Sequence, residues 1–481
     1  MGKKLTHSMQ SLKNDLKKSA HHVMEKINHA LRDIFYDDKL KIIAKETLFV
    51  QRSSSKIKGN EIVQAMVLAS IDPLSTPLSG ISDNLRTISA TAIMSVSAIR
   101  QRLNTSKAVD FFKKVYTTTV ESKLKKLSEE LNSTYDKFNT GMLHKFSKIL
   151  LHDSSCCALN ELLEKDFKGS SGLASKSLVK IDMIYDIKAN KIEKTIITDV
   201  KEPDQTLSKQ ILDHICENAL VIQDLGYFEV DTFEDILESN GYFLSRLLSG
   251  ALVYLNKEDK KPIELGKHLQ MLQEKGLSLD IEVFVTKKKM KTRLIAYQVP
   301  EEVFNQRRRE YNKRFKGKTA SAELIARQRF TILITNVPKE IWPWEVVGTV
   351  YKIRWQIELI FKVWKSQLSI DYLQGTKPER INCLIYARLL ALALIFAFYN
   401  GIERLFGTFG LELSLTKLVN WLKRNGRFAD IVLKGIVSET WNLLIDELDL
   451  LCKDNWQRKR KTSQQCIEEG VFYFETFKKS A

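Results

Sequence analysis

The residues from Tyr351 to Lys365 constrain the fold of this chain most, because they combine an apolar stripe at helical spacing with a row of reactive side chains. At about 100° per residue, the four members of the row fall within about 60° of one another on a helix. They are Tyr351, Arg354, Glu358 and Lys365. A carboxylate between two cations and a phenol, at the rim of a buried stripe, can hold a metal ion near a phosphate. A surface helix with a Glu-Lys pair is the alternative interpretation.

Two aspartates each follow a short, mainly apolar run. Residues 149–152 lead to Asp153, and residues 220–223 lead to Asp224. Runs of this length predict buried strands, and we expect the strands and the helix to bring both aspartates and Glu358 to one end of a sheet. Three carboxylates at that position can bind two metal ions for phosphoryl transfer. Mg²⁺ suits hard oxygen ligands, and Mn²⁺ would substitute for it. Any one acid among 58 is more often a surface residue.

The chain between these acids predicts a sheet with an insertion. Between the aspartates, residues 179–187 and 192–198 predict strands and residues 208–217 a helix. The interval from Asp224 to Glu358 is much longer than one helix and one strand need, so it must hold an insertion. Three short strand patterns lie in it, at residues 251–255, 281–286 and 293–299. The basic run at residues 307–318 is predicted to face a DNA backbone, although a charge run is more often a solvated face.

The charge balance predicts a polyanionic partner. The chain of 481 residues has 75 Lys and Arg against 58 Asp and Glu, a formal net charge of +17, and nucleic acid is the expected polyanion. A membrane is not expected, because no stretch reaches about 18 apolar residues and Met1 begins no signal-peptide pattern. Residues 389–399 are predicted to form a buried helix. The six cysteines show no disulfide or zinc spacing, which indicates the reducing cytosol.

The N-terminal quarter predicts short, basic helices. Ser95 is a predicted N-cap, and the helix after it carries Arg100 and Arg102. A turn and another helix, at residues 107–116, follow. This arrangement suits a helix-turn-helix that enters the major groove. A small bundle packed on the core is the alternative.

The spacing of the reactive row resembles a family signature. Tyr, two residues, Arg, three residues, Glu, six residues, Lys is similar to the signature of bacterial insertion sequence 4 family transposases, which are DDE enzymes. Asp224-Leu-Gly-Tyr-Phe228 resembles the second-aspartate motif of that family, and His152-Asp153-Ser-Ser resembles the first. The apolar strand and turn at residues 331–338 also resemble the family. The resemblance covers residues 90–400 and is weaker towards the ends.

The resemblance implies an α/β fold with a ribonuclease H-like catalytic core interrupted by a β-rich insertion, a helical N-terminal DNA-binding region and a helical C-terminal tail. The implied boundaries are 1–125 for the DNA-binding region, 145–250 and 329–400 for the core, 251–328 for the insertion and 401–481 for the tail. It implies cut-and-paste transposition, in which Asp153, Asp224 and Glu358 bind Mg²⁺ and the enzyme cleaves and joins DNA. The implied partners are double-stranded DNA, as terminal inverted repeats and target, and a second copy of the chain in a synaptic complex. The implied location is the bacterial cytoplasm, at the nucleoid.

The resemblance also implies roles for the remaining site residues. Tyr351 and Arg354 would contact phosphates at the transposon end, and Lys365 would contact the backbone near the cleaved strand. Arg246, Arg100 and Arg102 complete the predicted DNA contacts. Some family members flip a base onto an aromatic side chain. Phe330 is the first choice for that role here, and packing in the core is its alternative. The two other aromatic residues considered are Trp342 and Trp344.

Two other functions stay open. One is a catalytically silent DNA-binding protein derived from a transposase, which the intact triad and signature argue against. The other is a ribonuclease H-like nuclease or resolvase. Such an enzyme would need the three acids, but neither the long insertion nor the Tyr-Arg-Glu-Lys face.

Overall fold

In the computed structural model, the described residues are 2–19, 21–36, 38–51, 57–71, 77–132, 141–169, 175–316 and 318–452. They form a mixed α/β fold with helical N- and C-terminal regions. Residues 453–481, the end of the predicted C-terminal tail, lie outside the described residues.

The helices and strands follow one another in this order. The α-helices are α1 (Gly2–Ser19), α2 (His21–Phe35), α3 (Lys39–Glu46), α4 (Gly59–Ala69), α5 (Pro77–Ile88), α6 (Val96–Leu103), α7 (Ser106–Thr118), α8 (Lys125–Asn132), α9 (Asp204–Ser208), α10 (Val230–Glu238), α11 (Leu265–Lys275), α12 (Glu301–Arg314), α13 (Ala322–Gln328), α14 (Trp344–Tyr351), α15 (Trp355–Leu368), α16 (Pro378–Thr408), α17 (Leu415–Lys423), α18 (Arg427–Lys434), α19 (Ser438–Asp446) and α20 (Leu448–Leu451). The strands are β1 (Ile149–Ala158), β2 (Leu178–Asp186), β3 (Lys191–Asp199), β4 (Leu220–Gln223), β5 (Tyr242–Arg246), β6 (Val253–Tyr254), β7 (Leu279–Val285), β8 (Met290–Gln298) and β9 (Phe330–Thr335).

The chain divides into two compact units, each assembled from separated stretches. The first unit contains the described residues within 2–132, 154–201 and 358–452, and the second contains those within 141–153 and 202–357. The boundaries drawn from the sequence divide the chain into consecutive segments instead, and they stay a prediction.

The first unit is built around α16. This helix of 31 residues is long and apolar enough to cross a membrane, but 83% of its most apolar window is buried inside the fold. It packs against α2, α4 and α7 among others, so it is a core helix, as residues 389–399 predicted. The hairpin of β2 and β3 belongs to the same unit, in the strand order β3-β2-β1. The hydroxyl of Tyr116 on α7 donates to Thr195 Oγ1 on β3 at 2.9 Å, which ties the helices to the hairpin.

The second unit is built on a sheet with the strand order β1-β4-β5-β9-β8-β7-β6. Strands β1, β4 and β5 are parallel, and β9 runs antiparallel to β5. The strands of the insertion, β6 to β8, continue this sheet beyond β9. Arg293 of β8 attaches these strands to the chain that follows β9. Its guanidinium pairs with Asp280 and donates to the carbonyls of Val337 and Trp342.

The insertion is mixed α/β, which corrects the β-rich prediction. Helices α11, α12 and α13 accompany its strands. The basic run at residues 307–318 largely coincides with α12. Glu301 and Glu302 stand in the first turn of that helix and Lys313 and Arg314 in its last, an arrangement that complements the helix dipole. This polar helix lacks an apolar stripe, so hydrophobic periodicity could not indicate it.

Candidate active site and DNA interface

The two aspartates lie side by side on neighbouring strands. The parallel register pairs His152 of β1 with Gln223 of β4, so the next residues, Asp153 and Asp224, are level and project from the same face. The side chains of His152 and Gln223 are buried and hydrogen-bonded at 3.1 Å, which fixes this register. The sequence predicted Asp153 at the end of a strand. Strand β1 instead continues to Ala158, so Asp153 lies within it.

Arg354 bridges both carboxylates. Its Nη1 lies 3.2 Å from Asp153 Oδ2 and its Nε lies 3.8 Å from Asp224 Oδ1. The side chains of Arg354 and Asp153 are 14% and 18% exposed, whereas that of Asp224 is 40% exposed. The guanidinium therefore offsets one of the two negative charges at this edge of the sheet, and Asp224 stays open to solvent.

Tyr351 contacts the same site from α14. Its hydroxyl lies 3.3 Å from Asp224 Oδ1 and 3.5 Å from the carbonyl oxygen of Gln223. Burial raises the pKa of Tyr351, and the negative charge of Asp224 raises it further. The phenol is therefore protonated at neutral pH and can donate a hydrogen bond to an oxygen atom.

The signature is not one regular helix. Helix α14 ends at Tyr351, residues Lys352–Arg354 form a 3₁₀ turn, and α15 begins at Trp355. A 3₁₀ turn has about 3.0 residues per turn, against about 3.6 in an α-helix. The prediction that all four signature residues share one arc of a single α-helix is therefore wrong. Tyr351 and Arg354 instead reach the aspartates from the end of one helix and from the turn that follows it.

Arg246 extends the row of the aspartates. Ile222 of β4 pairs with Leu244 of β5, so the register, continued by two residues, places Arg246 level with Asp224 on the same face. Its side chain is half-buried, and within the described part of the chain it makes neither a hydrogen bond nor an ion pair. A guanidinium with no partner in the described ranges, one strand from Asp224, is available to an anionic ligand.

Glu358 and Lys365 lie on α15 in the first unit. Both are half-buried, and Lys365 Nζ donates to the carbonyl of Cys156 at 2.9 Å. The buried Arg388 of α16 holds the end of α15, because it donates to the carbonyls of Ser369, Ile370 and Tyr372 at 2.7–3.1 Å. Helix α15 is thus anchored to the core helix of its own unit.

The aspartate pair fits a divalent cation. Asp153 and Asp224 present hard oxygen donors side by side, and Arg354 offsets only one of their two negative charges. In the described ranges, no group of three His, Cys, Asp or Glu side chains is arranged to hold a metal ion. The assignment of Glu358 as a third ligand stays a prediction.

Two of the three aromatic residues considered for base stacking are core residues. Phe330 is 2% exposed at the start of β9, and the indole of Trp342 is fully buried and donates to the carbonyl of Met142. No base can reach either ring without unpacking the second unit, which contradicts the stacking prediction for Phe330. Trp344 is half-buried. Sequence reasoning missed Trp355, which is 53% exposed directly after Arg354. Trp355 does not lie on the apolar stripe of α15, and this position on the helix could have indicated an exposed ring.

The N-terminal helices confirm the predicted cap at Ser95. Ser95 Oγ accepts from the backbone N–H of Ala98 at 3.2 Å, and α6 and α7 are joined by two residues. Arg102 makes contacts within the fold, because it donates to the carbonyl of Phe49 at 2.8 Å and its guanidinium lies over the Phe49 ring. Arg100 is exposed, and its charge contributes to lowering the pKa of Arg380 after the effect of burial. The predicted DNA contact at Arg100 is therefore open to solvent, whereas that at Arg102 is used internally.

A groove of about 760 Å³ lies beside these helices. Polar residues, among them Gln51, Gln101 and Lys107, line part of it. It lies at the N-terminal end of α7, where unpaired backbone N–H groups favour anions.

A family model identifies the family of this chain, and similar proteins are known from sequence and structure. A family model for the transposase DDE domain matches residues 144–394. The transposase for insertion sequence element IS231B of Bacillus thuringiensis subsp. berliner is 28% identical over 454 residues, which are 90% of this chain and 92% of that protein. The transposase for IS1151 of Clostridium perfringens is 26% identical over 76% of this chain and 79% of that protein. The solved piggyBac transposase synaptic complex with hairpin DNA has a TM-score of 0.43 and 10% identity, and the match covers 90% of this chain and 87% of that one.

Proposed function

The chain belongs to the family of transposase DDE domains, and on that premise we propose that it excises and reinserts its own insertion sequence through Asp153, Asp224 and Glu358. It is a DNA transposase, an enzyme that cleaves DNA strands and transfers them, and its domain type requires a divalent metal. We place it in the insertion sequence 4 group, with Tyr351, Arg354, Glu358 and Lys365 as the signature. Cut-and-paste movement between terminal inverted repeats and a target is the proposed route.

The aspartate pair bridged by Arg354 carries this proposal. Two carboxylates at one register position suit Mg²⁺, and Mn²⁺ would replace it. When bound, such ions polarise the scissile phosphate and activate the attacking oxygen. The chain itself supplies the geometry, because the His152–Gln223 bond sets the register that brings the two carboxylates level. A phosphodiester offers Arg354 the same pair of oxygens that a carboxylate does.

The neighbouring cations and phenol are proposed to hold the DNA end. Tyr351 can donate from its protonated hydroxyl to a phosphate oxygen, and Arg246 has no competing partner in the described ranges. Lys365 is a point charge that can follow the strand through successive steps. Trp355 replaces Phe330 as the proposed stacking residue, because its exposed ring can meet an unstacked base.

The proposed architecture is a ribonuclease H-like core with an N-terminal reader. The strand order β3-β2-β1 in the first unit and β1-β4-β5 in the second, with the β2–β3 hairpin antiparallel and β1, β4 and β5 parallel, supports that core. Arg100, Lys107 and the groove beside α7 are proposed to bind the terminal repeat. Two ends must meet before strand transfer, so we propose a homodimer in a synaptic complex, acting on the nucleoid in the cytoplasm.

End cleavage by the full chain tests the proposal. A duplex of the terminal repeat is labelled on each strand and incubated in Mg²⁺, in Mn²⁺ or without metal. Asp153→Asn, Asp224→Asn and Glu358→Gln should each lower the cleavage rate by about 10³-fold, which corresponds to about 4 kcal/mol, and should leave end binding within a few-fold. Glu340→Gln, at an exposed acid, is the matched control. Cleavage at the wild-type rate by any of the three variants would remove that residue from the site. A wild-type protein that binds ends and never cuts them would favour the silent alternative.

A further inference from the structure

A second polar cluster lies on the face of the sheet that carries the aspartates. Arg246 of β5 is opposite Leu333 of β9, and Thr331 of β9 is opposite Tyr297 of β8. Opposed residues project from the same face, and so do residues two apart on one strand. Arg246, Thr331 and Tyr297 therefore share one face, and the register with β4 makes it the face of Asp224.

Arg307 joins this cluster from α12. Its Nη1 donates to the carbonyls of Gln328 and Phe330 at 2.9 and 2.7 Å, and its Nη2 donates to Thr331 Oγ1 at 3.1 Å. The side chain of Tyr297 lies opposite that of Thr331 across the pairing of β8 with β9. The insertion therefore fixes a guanidinium and two hydroxyl groups at the start of β9.

Helix α14 covers both the cluster and the aspartates. Gly348 lies so close to the hydroxyl of Tyr297 that a side chain at this position would overlap it. One turn later on the same helix, Tyr351 contacts Asp224. The cluster is therefore next to the proposed cleavage site within the second unit.

The cluster has an excess of positive charge. Arg246 makes no ion pair or hydrogen bond in the described part of the chain, and the contacts of Arg307 are all to neutral oxygens. Arg307 reaches the face that carries Arg246 through its bond to Thr331, and its pKa is lowered by burial and then by the charge of Arg246. Two half-buried like charges are unfavourable unless an anion completes them.

We propose that Arg246, Arg307, Thr331 and Tyr297 form a binding subsite for a DNA phosphate next to the scissile one. Adjacent strands are about 4.8 Å apart, so Arg246 is offset by one strand from Asp224. Arg246 contacts the phosphate directly, while Arg307 and Tyr297 orient the hydroxyl of Thr331. The insertion thereby supplies part of the cleavage site. This inference rests on the proposed transposase function.

Single-phosphate neutralisation in the full-length enzyme tests the subsite. The probe is the terminal-repeat duplex in which one phosphate at a time, around the mapped cut, is replaced by an uncharged methylphosphonate. In the wild type, one position flanking the cut should slow single-turnover nicking by about 10-fold, the effect of about 1.4 kcal/mol. Arg246→Gln should nick about 10-fold more slowly on the natural duplex, and the same methylphosphonate should then slow it by less than about 2-fold, because both changes remove one contact.

Two further variants keep the test independent of folding. Tyr297→Phe removes only a hydroxyl, and it should reduce the coupling at the same phosphate and at no other. Arg309→Gln is the control, because Arg309 is exposed on the same helix as Arg307 and donates only to a carbonyl of its own helix. At every position, the factors by which Arg309→Gln and the methylphosphonate slow nicking should multiply, as they do for independent contacts. If Arg246→Gln and the methylphosphonates multiply at every position while the wild type nicks normally, the subsite is refuted and the proposed function stands. A wild type that does not nick would refute both.

Discussion

Removal of Arg354 should strengthen divalent metal binding while it weakens cleavage. The guanidinium lies 3.2 Å from Asp153 and 3.8 Å from Asp224, where it offsets the charge that a metal would otherwise offset. At an effective dielectric constant of about 20, charges at such distances attract by about 4–5 kcal/mol before solvation is considered. Since Asp224 is 40% exposed, solvent screening reduces the net contribution to about 1–2 kcal/mol.

A metal ion must overcome that contribution in the wild type, so Arg354→Ala should bind Mn²⁺ about 10-fold more tightly. Electron paramagnetic resonance of free Mn²⁺, during titration of the metal-free protein, measures the dissociation constant. Arg354→Lys keeps the charge but not the forked geometry, so it should lie between the two. Arg427→Ala removes a comparably buried pair with Glu447 and serves as the control.

The same variant should cleave the DNA end slowly, because Arg354 can no longer grip a phosphate. We expect the first nick to proceed and the opposite strand to remain uncut, which separate labels on the two strands resolve. Unchanged or weaker Mn²⁺ binding by Arg354→Ala would show that the guanidinium helps to build the metal site and does not compete with the metal. A block at the first nick would lead to the same conclusion.

Three further outcomes follow from the packing of individual side chains. Trp355→Ala should bind intact ends within about 2-fold of wild type but accumulate nicked DNA, because a stacked base is worth about 1–3 kcal/mol; Phe330→Ala should instead lower the free energy of unfolding by about 3–5 kcal/mol, which denaturation measures. Replacing Arg100 and Lys107 together by Ala should reduce the slope of log affinity against log salt by about 2 and weaken the preference for the terminal repeat in a filter-binding assay. Arg388→Lys should lower the cleavage rate at unchanged DNA affinity, because the end of α15 loses a guanidinium that donates to three carbonyls. If the melting temperature and the DNA affinity fall together with the cleavage rate, Arg388 contributes only to stability.

Local sequence patterns predicted that the two aspartates lie close together, because residues that follow similar runs on neighbouring parallel strands come level in the sheet. An apolar run followed by Asp occurs twice, and the parallel pairing of β1 with β4 places both carboxylates in one row. The N-cap at Ser95 and the buried centre of α16 could also be predicted, because each depends on a few neighbouring residues. Composition alone does not exclude a membrane span for α16, which is long and apolar enough to form one, and its burial identifies it as a core helix.

Features that depend on tertiary contacts could not be read in this way. The 3₁₀ turn at Lys352–Arg354 has no marker such as Gly or Pro, yet it decides how Tyr351 and Arg354 reach the aspartates. Phe330 has the same local pattern whether its ring is exposed or buried. Arg307 belongs to a basic run that suggested a DNA backbone, but it donates two hydrogen bonds to the start of β9 and one to the carbonyl of Gln328 at the end of α13.

The internal use of cations also changes what the net charge means. Arg293, Arg307 and Arg388 each donate to carbonyl oxygens of the fold, and Arg102 holds Phe49. These guanidiniums raise the net charge to +17 but do not all face a polyanion. Counterion release depends only on the cations that contact phosphates, about 0.9 units of salt slope for each. The electrostatic contribution to end binding should therefore be set by those cations that contact phosphates, for which Arg246 and Arg100 are candidates, and total charge is a poor guide to it.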